Sequence, residues 1–170
     1  MEPTITHPWN LSESEAIILQ NNLALKVIRE DLHNSFHFVA GIVVLDTKTL
    51  QMVEAVVTKD KVQFAYIPGL FSFRELPPII KALKQLKTIP DLILCDGQGI
   101  AHPRRFGLAS HLGVLFDIPT IGCGKTKLIG EANEPEKRRG EYSPLIDKCE
   151  VIGNVLRTQD NTNSNHRSNS

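Results

Sequence analysis

The segment DLILCDGQGIAHPRRFGLASHLGVLFDIPTIGC, residues 91–123, decides the fold. It opens with DLILCD, a short continuous apolar run ending in Asp96. That is the composition of a strand buried in a sheet with helices on its faces. GQGIAHPRRFG follows as a loop rich in glycine and polar groups. LASHLGVLFD reads as a short helix and PTIGC as a second buried strand. This order predicts adjacent parallel strands at 91–96 and 119–123, with a helix near 108–116 covering the sheet.

Working outward, LSESEAIILQNNLALKVIRED, residues 11–31, predicts a first helix. Ser12 and Glu15 have capping-box spacing, and Ala16, Leu19, Leu23 and Val27 recur at the helical period. FHFVAGIVVLD, residues 36–46, is apolar and β-branched and reads as one strand. TKTL turns it and QMVEAVVT returns, an antiparallel hairpin. PPIIKALKQLK places a helix near 74–87, with its prolines at the start, where a missing N–H is tolerated. Residues 130–144 are charged and read as a surface excursion. EVIGNVLRT reads as a last strand. Residues 159–170 are mostly polar, with no apolar residue, and are expected to be disordered. The whole predicts a single α/β domain over 1–158 built on a mixed sheet.

The 170 residues suffice for one domain with a real core. Lys+Arg and Asp+Glu both number 19, so the net charge is zero. This removes the simplest electrostatic argument for nucleic acid but leaves room for a local basic patch. No apolar run reaches the length of a membrane span, and MEPTITHPWN lacks the basic and apolar regions of a signal peptide. Cys95, Cys123 and Cys149 lie far apart, with no metal-ligand pair and no even disulfide framework. A reducing cytoplasm is the expectation, with Cys95 and Cys123 as buried, inert thiols.

Asp96, at the end of a buried strand, stands where open α/β sheets bind ligands. Gly97 and Gly99 behind it permit close approach of a substrate backbone. The plainer reading of Asp96 is a turn cap. Glu75 is a second carboxylate, and two carboxylates from neighbouring elements suit a hard divalent ion such as Mg²⁺. Its plainer reading is a solvated glutamate in a helix's first turn. His102, Arg104 and Arg105 form a basic cluster beside Asp96, and Lys125 and Lys127 follow the next strand. Gathered at one end of the sheet, these groups neutralise phosphates. In YIPGLFSFRE, Tyr66 beside Pro68-Gly69 is a candidate wedge for stacking on bases. Phe71 and Phe73 are assigned to the core.

YIPGLFSFRE, the Asp-Gly-x-Gly-x-x-His-Pro-Arg-Arg pattern with its flanks through GKTKL, and PLIDKCEVIGNVLRT resemble endonuclease V. That family is inosine-directed and has a ribonuclease H-like fold. The likeness runs from about Ala24 to Thr158. It implies a nuclease that cuts the second phosphodiester 3′ of hypoxanthine in DNA or RNA, with Mg²⁺ or Mn²⁺, in the service of DNA repair. By motif, Glu75 and Asp96 match its metal-binding carboxylates and Lys125 its active-site lysine. Tyr66, Ile67, Pro68 and Gly69 match its base-separating strip. Gly97, Gly99 and His102 match the loop lining the inosine pocket and adjacent phosphates, with Arg104 and Arg105 beside it. A monomeric cytoplasmic protein is expected.

Two departures stand out. The family carries a metal-binding Asp in its first strand, after a Val-Ala-Gly-like start. Here FVAG runs straight into IVVLDTKTLQMVE, which resembles the second and third strands, and Asp46 is not a substitute by alignment. The family also continues past VLRT to a Gly-His-Arg motif that begins a helix, which His166-Arg167 match only weakly. The expectation is an incomplete family domain with reduced activity. The alternative is a catalytically deficient remnant that still binds inosine.

Overall fold

A computed structural model describes residues 1–29, 38–40, 43–58 and 64–161. His166 and Arg167 lie outside the described residues.

Three strands, β1 (Phe38–Ala40), β4 (Leu92–Cys95) and β5 (Thr120–Gly122), run parallel in the middle and at one edge of a five-stranded sheet. β2 (Val43–Asp46) and β3 (Met52–Ala55) add antiparallel strands, giving the order β3-β2-β1-β4-β5. The expected parallel pair is therefore present, with Ile93 opposite Thr120 and Cys95 opposite Gly122. Residues 36–46 are not one strand. Ala40 pairs with Val44 and Phe38 with Asp46, so the apolar run is folded on itself. A continuous apolar stretch contains no period that distinguishes one long strand from two short ones.

α1 (Glu13–Ala24) starts at the capping box expected for it. The Ser12 hydroxyl accepts from the Glu15 N–H, and the Glu15 carboxylate accepts from the Ser12 N–H at 2.8 Å. It ends seven residues before Asp31, in a tightened last turn in which Lys26 N–H bonds to the Leu23 carbonyl. α2 (Phe71–Leu83) begins three residues earlier than expected, and Pro77 and Pro78 lie inside it. An interior proline removes an intrahelical bond. Here burial of Phe73, Leu76 and Leu83 on one helical face outweighs that loss.

α3 (Leu108–Phe116) matches its expectation and ends on Asp117 in the left-handed conformation. Its Leu108, Leu112, Leu115 and Phe116 join Leu76, Leu83, Ile93 and Cys95 in one core cluster against the sheet. On the opposite face, Leu94 and Ile121 are about half exposed.

The last strand, β7 (Glu150–Leu156), does not join this sheet. It pairs with β6 (Tyr142–Asp147) in a separate two-stranded ribbon. β6 begins inside the segment read as a charged surface excursion. The ribbon turns at Lys148-Cys149, both at positive φ as a two-residue hairpin requires, though neither is glycine. The missing Asn-Gly signal is why the hairpin is hard to read from sequence.

Candidate active site

Asp96 follows β4 at the C-terminal end of the parallel strands. Its carboxylate is exposed and pairs with Lys125 Nζ at 2.7 Å. Lys125 lies just past β5, so two adjacent parallel strands deliver the pair. The loop beginning at Gly97 folds back over the strand ends. Gly107 N–H bonds to the Gly99 carbonyl, Ala109 N–H bonds to the Gln98 carbonyl, and the Gln98 side chain reaches the Thr126 carbonyl at 2.6 Å.

This loop is packed backbone against backbone. A Cβ on Gly107 would lie 2.3 Å from the Gln98 carbonyl oxygen, and one on Gly122 would lie 2.4 Å from the Gly99 nitrogen. Both glycines are required, and neither stood out in the sequence. Gly97 serves packing too, since its Cβ would meet Leu108 at 2.9 Å. Gly99 has only ordinary contacts at 3.8–3.9 Å. Of the two glycines expected to admit a substrate, Gly99 is the one with space.

The Tyr66–Gly69 strip precedes α2. Tyr66 is 68% exposed and meets Phe71 edge-on at 6.5 Å. Pro68 is exposed and Ile67 half-buried, with Ile67 packing against the cluster of Ala16, Leu70 and Phe73. Gly69 has φ +80, and Leu70 N–H closes the turn on the Ile67 carbonyl at 2.9 Å. Phe73 is core as expected, but Phe71 is 39% exposed and stays beside Tyr66. Glu75 sits in α2 with its carboxylate partly exposed, 3.4 Å from Arg74 Nε.

The basic cluster is arranged differently from the expectation. His102 is buried, and burial first and the Arg104 charge second push its pKa down to about 4. It is therefore neutral at pH 7. Nε2 carries the proton, donating to the Gly69 carbonyl, while Nδ1 accepts from the Arg104 N–H at 3.2 Å. Arg104 donates to the Gly69 carbonyl at 2.8 Å. Arg105, at φ +53, is held by Asp147 at 2.7 Å and Glu150 at 2.8 Å, on either side of the ribbon's turn. The open cleft that Asp96, Gly99, Lys125 and Lys127 line includes neither arginine, and neither Glu75 nor Tyr66 lines it. The charge of both arginines is committed to the protein, because a partly buried guanidinium needs partners for its donors.

Asp46 takes the plain reading. Its Oδ1 accepts from the N–H groups of Lys48 and Thr49 and the Thr49 hydroxyl, capping the hairpin turn. It lies opposite Phe38, the first residue of β1, whereas Asp96 lies beyond the last residue of β4, which is parallel to β1. Asp46 and Asp96 are thus at opposite ends of the sheet. The described β1–β4 pairing stops at Ala40–Ile93, while β4 continues through Cys95 beside β5. β1 itself brings no carboxylate toward Asp96, because its residues 38–40 are Phe-Val-Ala.

Cys95 is buried, and its surroundings, with Cys123 adding to them, push its thiol up to about 12. Cys123 is exposed, contrary to its expectation. It follows β5 at the open strand end.

A mixed sheet of this order, with a carboxylate at the end of its parallel strands paired to a lysine, has the arrangement of a ribonuclease H-like nuclease. The endonuclease V family model matches residues 24–166. Endonuclease V of Rippkaea orientalis is 47% identical over 176 residues, covering 95% of this chain and 76% of that protein. The crystal structure of endonuclease V from Streptomyces avermitilis superposes with TM-score 0.82 at 38% identity, over 94% of this chain and 77% of that one. Ciona intestinalis endonuclease V, in complex with a 24-mer DNA containing an inosine followed by a ribo-adenosine, gives 0.71 at 28% identity, over 85% and 76%. The chain belongs to the endonuclease V family, and it is a nuclease acting on nucleic acid. The Rippkaea alignment is longer than this chain's own 170 residues, so the relative carries residues inside the aligned region that this chain lacks.

Nucleases of this kind generally use a divalent metal, and the donors here fit one in kind. Asp96 and Glu75, the two carboxylates that the resemblance assigns to a metal, offer only oxygen, the donor type of hard cations. Their number is two, and among the described residues no three His, Cys, Asp or Glu side chains gather into a metal site. No described helix is long and apolar enough to cross a membrane.

Proposed function

We propose that this chain nicks DNA or RNA at the second phosphodiester 3′ of a hypoxanthine base, as a monomer, with Mg²⁺ or Mn²⁺. One observation carries the reading: His102 and Arg104, in the loop that begins at Asp96, both donate to the Gly69 carbonyl of the Tyr66 strip. One loop therefore connects the carboxylate assigned to cutting with the aromatic assigned to base separation, as cutting at a fixed step from a recognised base requires. The inosine-containing DNA bound by the Ciona protein supports the choice of substrate.

Asp96 and Glu75 would hold the ion. Bound there, it supplies Lewis-acid stabilisation of charge developing on the phosphodiester oxygens. Lys125, exposed and hydrogen-bonded to Asp96, holds the carboxylate in place and offers an ammonium to a phosphate. Tyr66 stacks where an extruded base leaves a gap. Gly99 leaves room for the substrate beside Asp96. His102 and Arg104 shape the pocket through the Gly69 carbonyl rather than by adding charge, and Arg105 ties the loop to the ribbon. The two-carboxylate donor set makes this chain a slower nuclease than its relatives. Losing an outer partner alone costs about 10–100-fold in metal affinity or activity.

The test is binding of a hypoxanthine-containing duplex by Tyr66→Ala. The reading expects the preference over undamaged duplex to collapse. Equal weakening on both duplexes would assign Tyr66 to general affinity and overturn it.

A further inference from the structure

Three donors from two distant segments converge on one backbone oxygen, the carbonyl of Gly69. Arg104 Nη2 approaches at 2.8 Å, Gln20 Nε2 at 3.1 Å and His102 Nε2 at 3.1 Å. A carbonyl has two lone pairs, so this acceptor is saturated. Gln20 comes from α1, 49 residues from Gly69, and is 1% exposed. Its amide is completely used. The second Nε2 hydrogen goes to the Phe106 carbonyl at 2.6 Å, and Oε1 accepts from Arg104 Nε. Gln20 thus joins α1, the 66–69 strip and, through Arg104 and Phe106, the His102–Phe106 turn.

We propose that Gln20 is a positioning residue for base recognition: it fixes the approach of Tyr66 by locking Gly69 and Arg104 together. This rests on the recognition role proposed for the strip. Gln20 lies in the interior, where an unpaired amide is costly and a fully paired one imposes a single geometry. The backbone at Gly69 is itself in a conformation few residues adopt. Leu70 N–H and the packing of Ile67 also hold the turn that carries Tyr66, and the Gln20 amide is what ties it to α1 and to Arg104. Leucine or methionine would fill the same volume but direct nothing.

The experiment measures equilibrium binding of Gln20→Met and Gln20→Glu to a duplex with one hypoxanthine and to the same duplex with adenine. Both are measured in the parent and in the Tyr66→Ala background. Circular dichroism reports folding. Gln20→Glu keeps the acceptor for Arg104 but sets a carboxylate against two carbonyls. The expected result is a folded Gln20→Met whose hypoxanthine preference falls about tenfold, the scale of one or two lost hydrogen bonds. Gln20→Glu should match it, and the change should add little once Tyr66 is gone, because both act through one strip. An unchanged preference, or losses that multiply across the two positions, overturns the proposal. So does unfolding of both variants, which would make Gln20 a support for the whole domain. Absence of any preference in the parent defeats the underlying recognition reading as well, and is told apart by appearing before any substitution.

Discussion

Substituting glycines around the site should rank by geometry, and Gly69→Ala is the informative case. At φ +80 an alanine there bears the left-handed penalty of about 1–2 kcal/mol. Its Cβ would lie 2.7 Å from Arg104 Nη2, the atom that donates to the Gly69 carbonyl. The guanidinium must move, forfeiting a charge-assisted bond worth about 1.5–3 kcal/mol. Because it is the far end of a flexible side chain, part of that is recovered, so the expected cost is about 2–4 kcal/mol. For a domain of this size that lowers Tm by roughly 5–15 °C. Gly99→Ala is the control, since its Cβ meets only ordinary contacts, and Gly107→Ala should be worse than both because its neighbour is backbone. Thermal unfolding of the three variants by circular dichroism tests the ranking. Gly69→Ala as stable as the parent, or Gly99→Ala equally damaging, would refute the clamp on Gly69.

Acid should destabilise the protein through its buried histidines. His111 is pushed down to about 3, by burial first and by His7 second, and His102 to about 4, against an ordinary 6.5. The unfolded chain protonates first, so their stabilisation is whole above about pH 6.5 and is lost as pH falls toward 4, at up to about 1.4 kcal/mol per unit for each histidine. Chemical denaturation in this window should show the slope, and His111→Leu should flatten it. His7, which shares a hydrogen bond of 2.8 Å with His111, titrates in the same direction. Lys125→Ala should reduce the dependence of log K on log salt by about one unit in nucleic-acid binding, whereas Arg105→Ala should leave it nearly unchanged. Tyr66→Ala should weaken binding to a hypoxanthine-containing duplex by about 1–3 kcal/mol, measured by fluorescence anisotropy.

The core of the fold was legible where period and length agreed. Residues 91–123 gave two parallel strands and α3 with its bounds, because a short apolar run, a glycine loop and a helical run leave little choice. The run at 36–46 was misread because uniform apolar composition hides a reversal. α2 was misplaced because prolines signal a helix start on average, while burial of Phe73 and Leu76 decided the start here. β6 was missed because Tyr142–Asp147 contains Pro144 and follows a charged stretch. In the site, motif and position single out Asp96, Lys125 and Tyr66, and the structure pairs the first two directly. The partners of the basic cluster were not legible. Sequence shows that His102, Arg104 and Arg105 are basic, but not that burial neutralises the first and that Gly69, Asp147 and Glu150 occupy the others. Gln20 gave no signal, since a lone glutamine in a helix is ordinarily solvated.

The central claim is metal-dependent cutting directed by hypoxanthine from a site with two carboxylates. Its most direct test is a nicking assay of the purified chain on a strand with a single inosine, with Mg²⁺ or Mn²⁺, beside Asp96→Ala and the Rippkaea relative. The account predicts a nick at the second phosphodiester 3′ of inosine, absent without metal, abolished in Asp96→Ala, and slower than the relative's by about tenfold or more. A nick that survives Asp96→Ala, cutting without regard to inosine, or turnover equal to the relative's would contradict it.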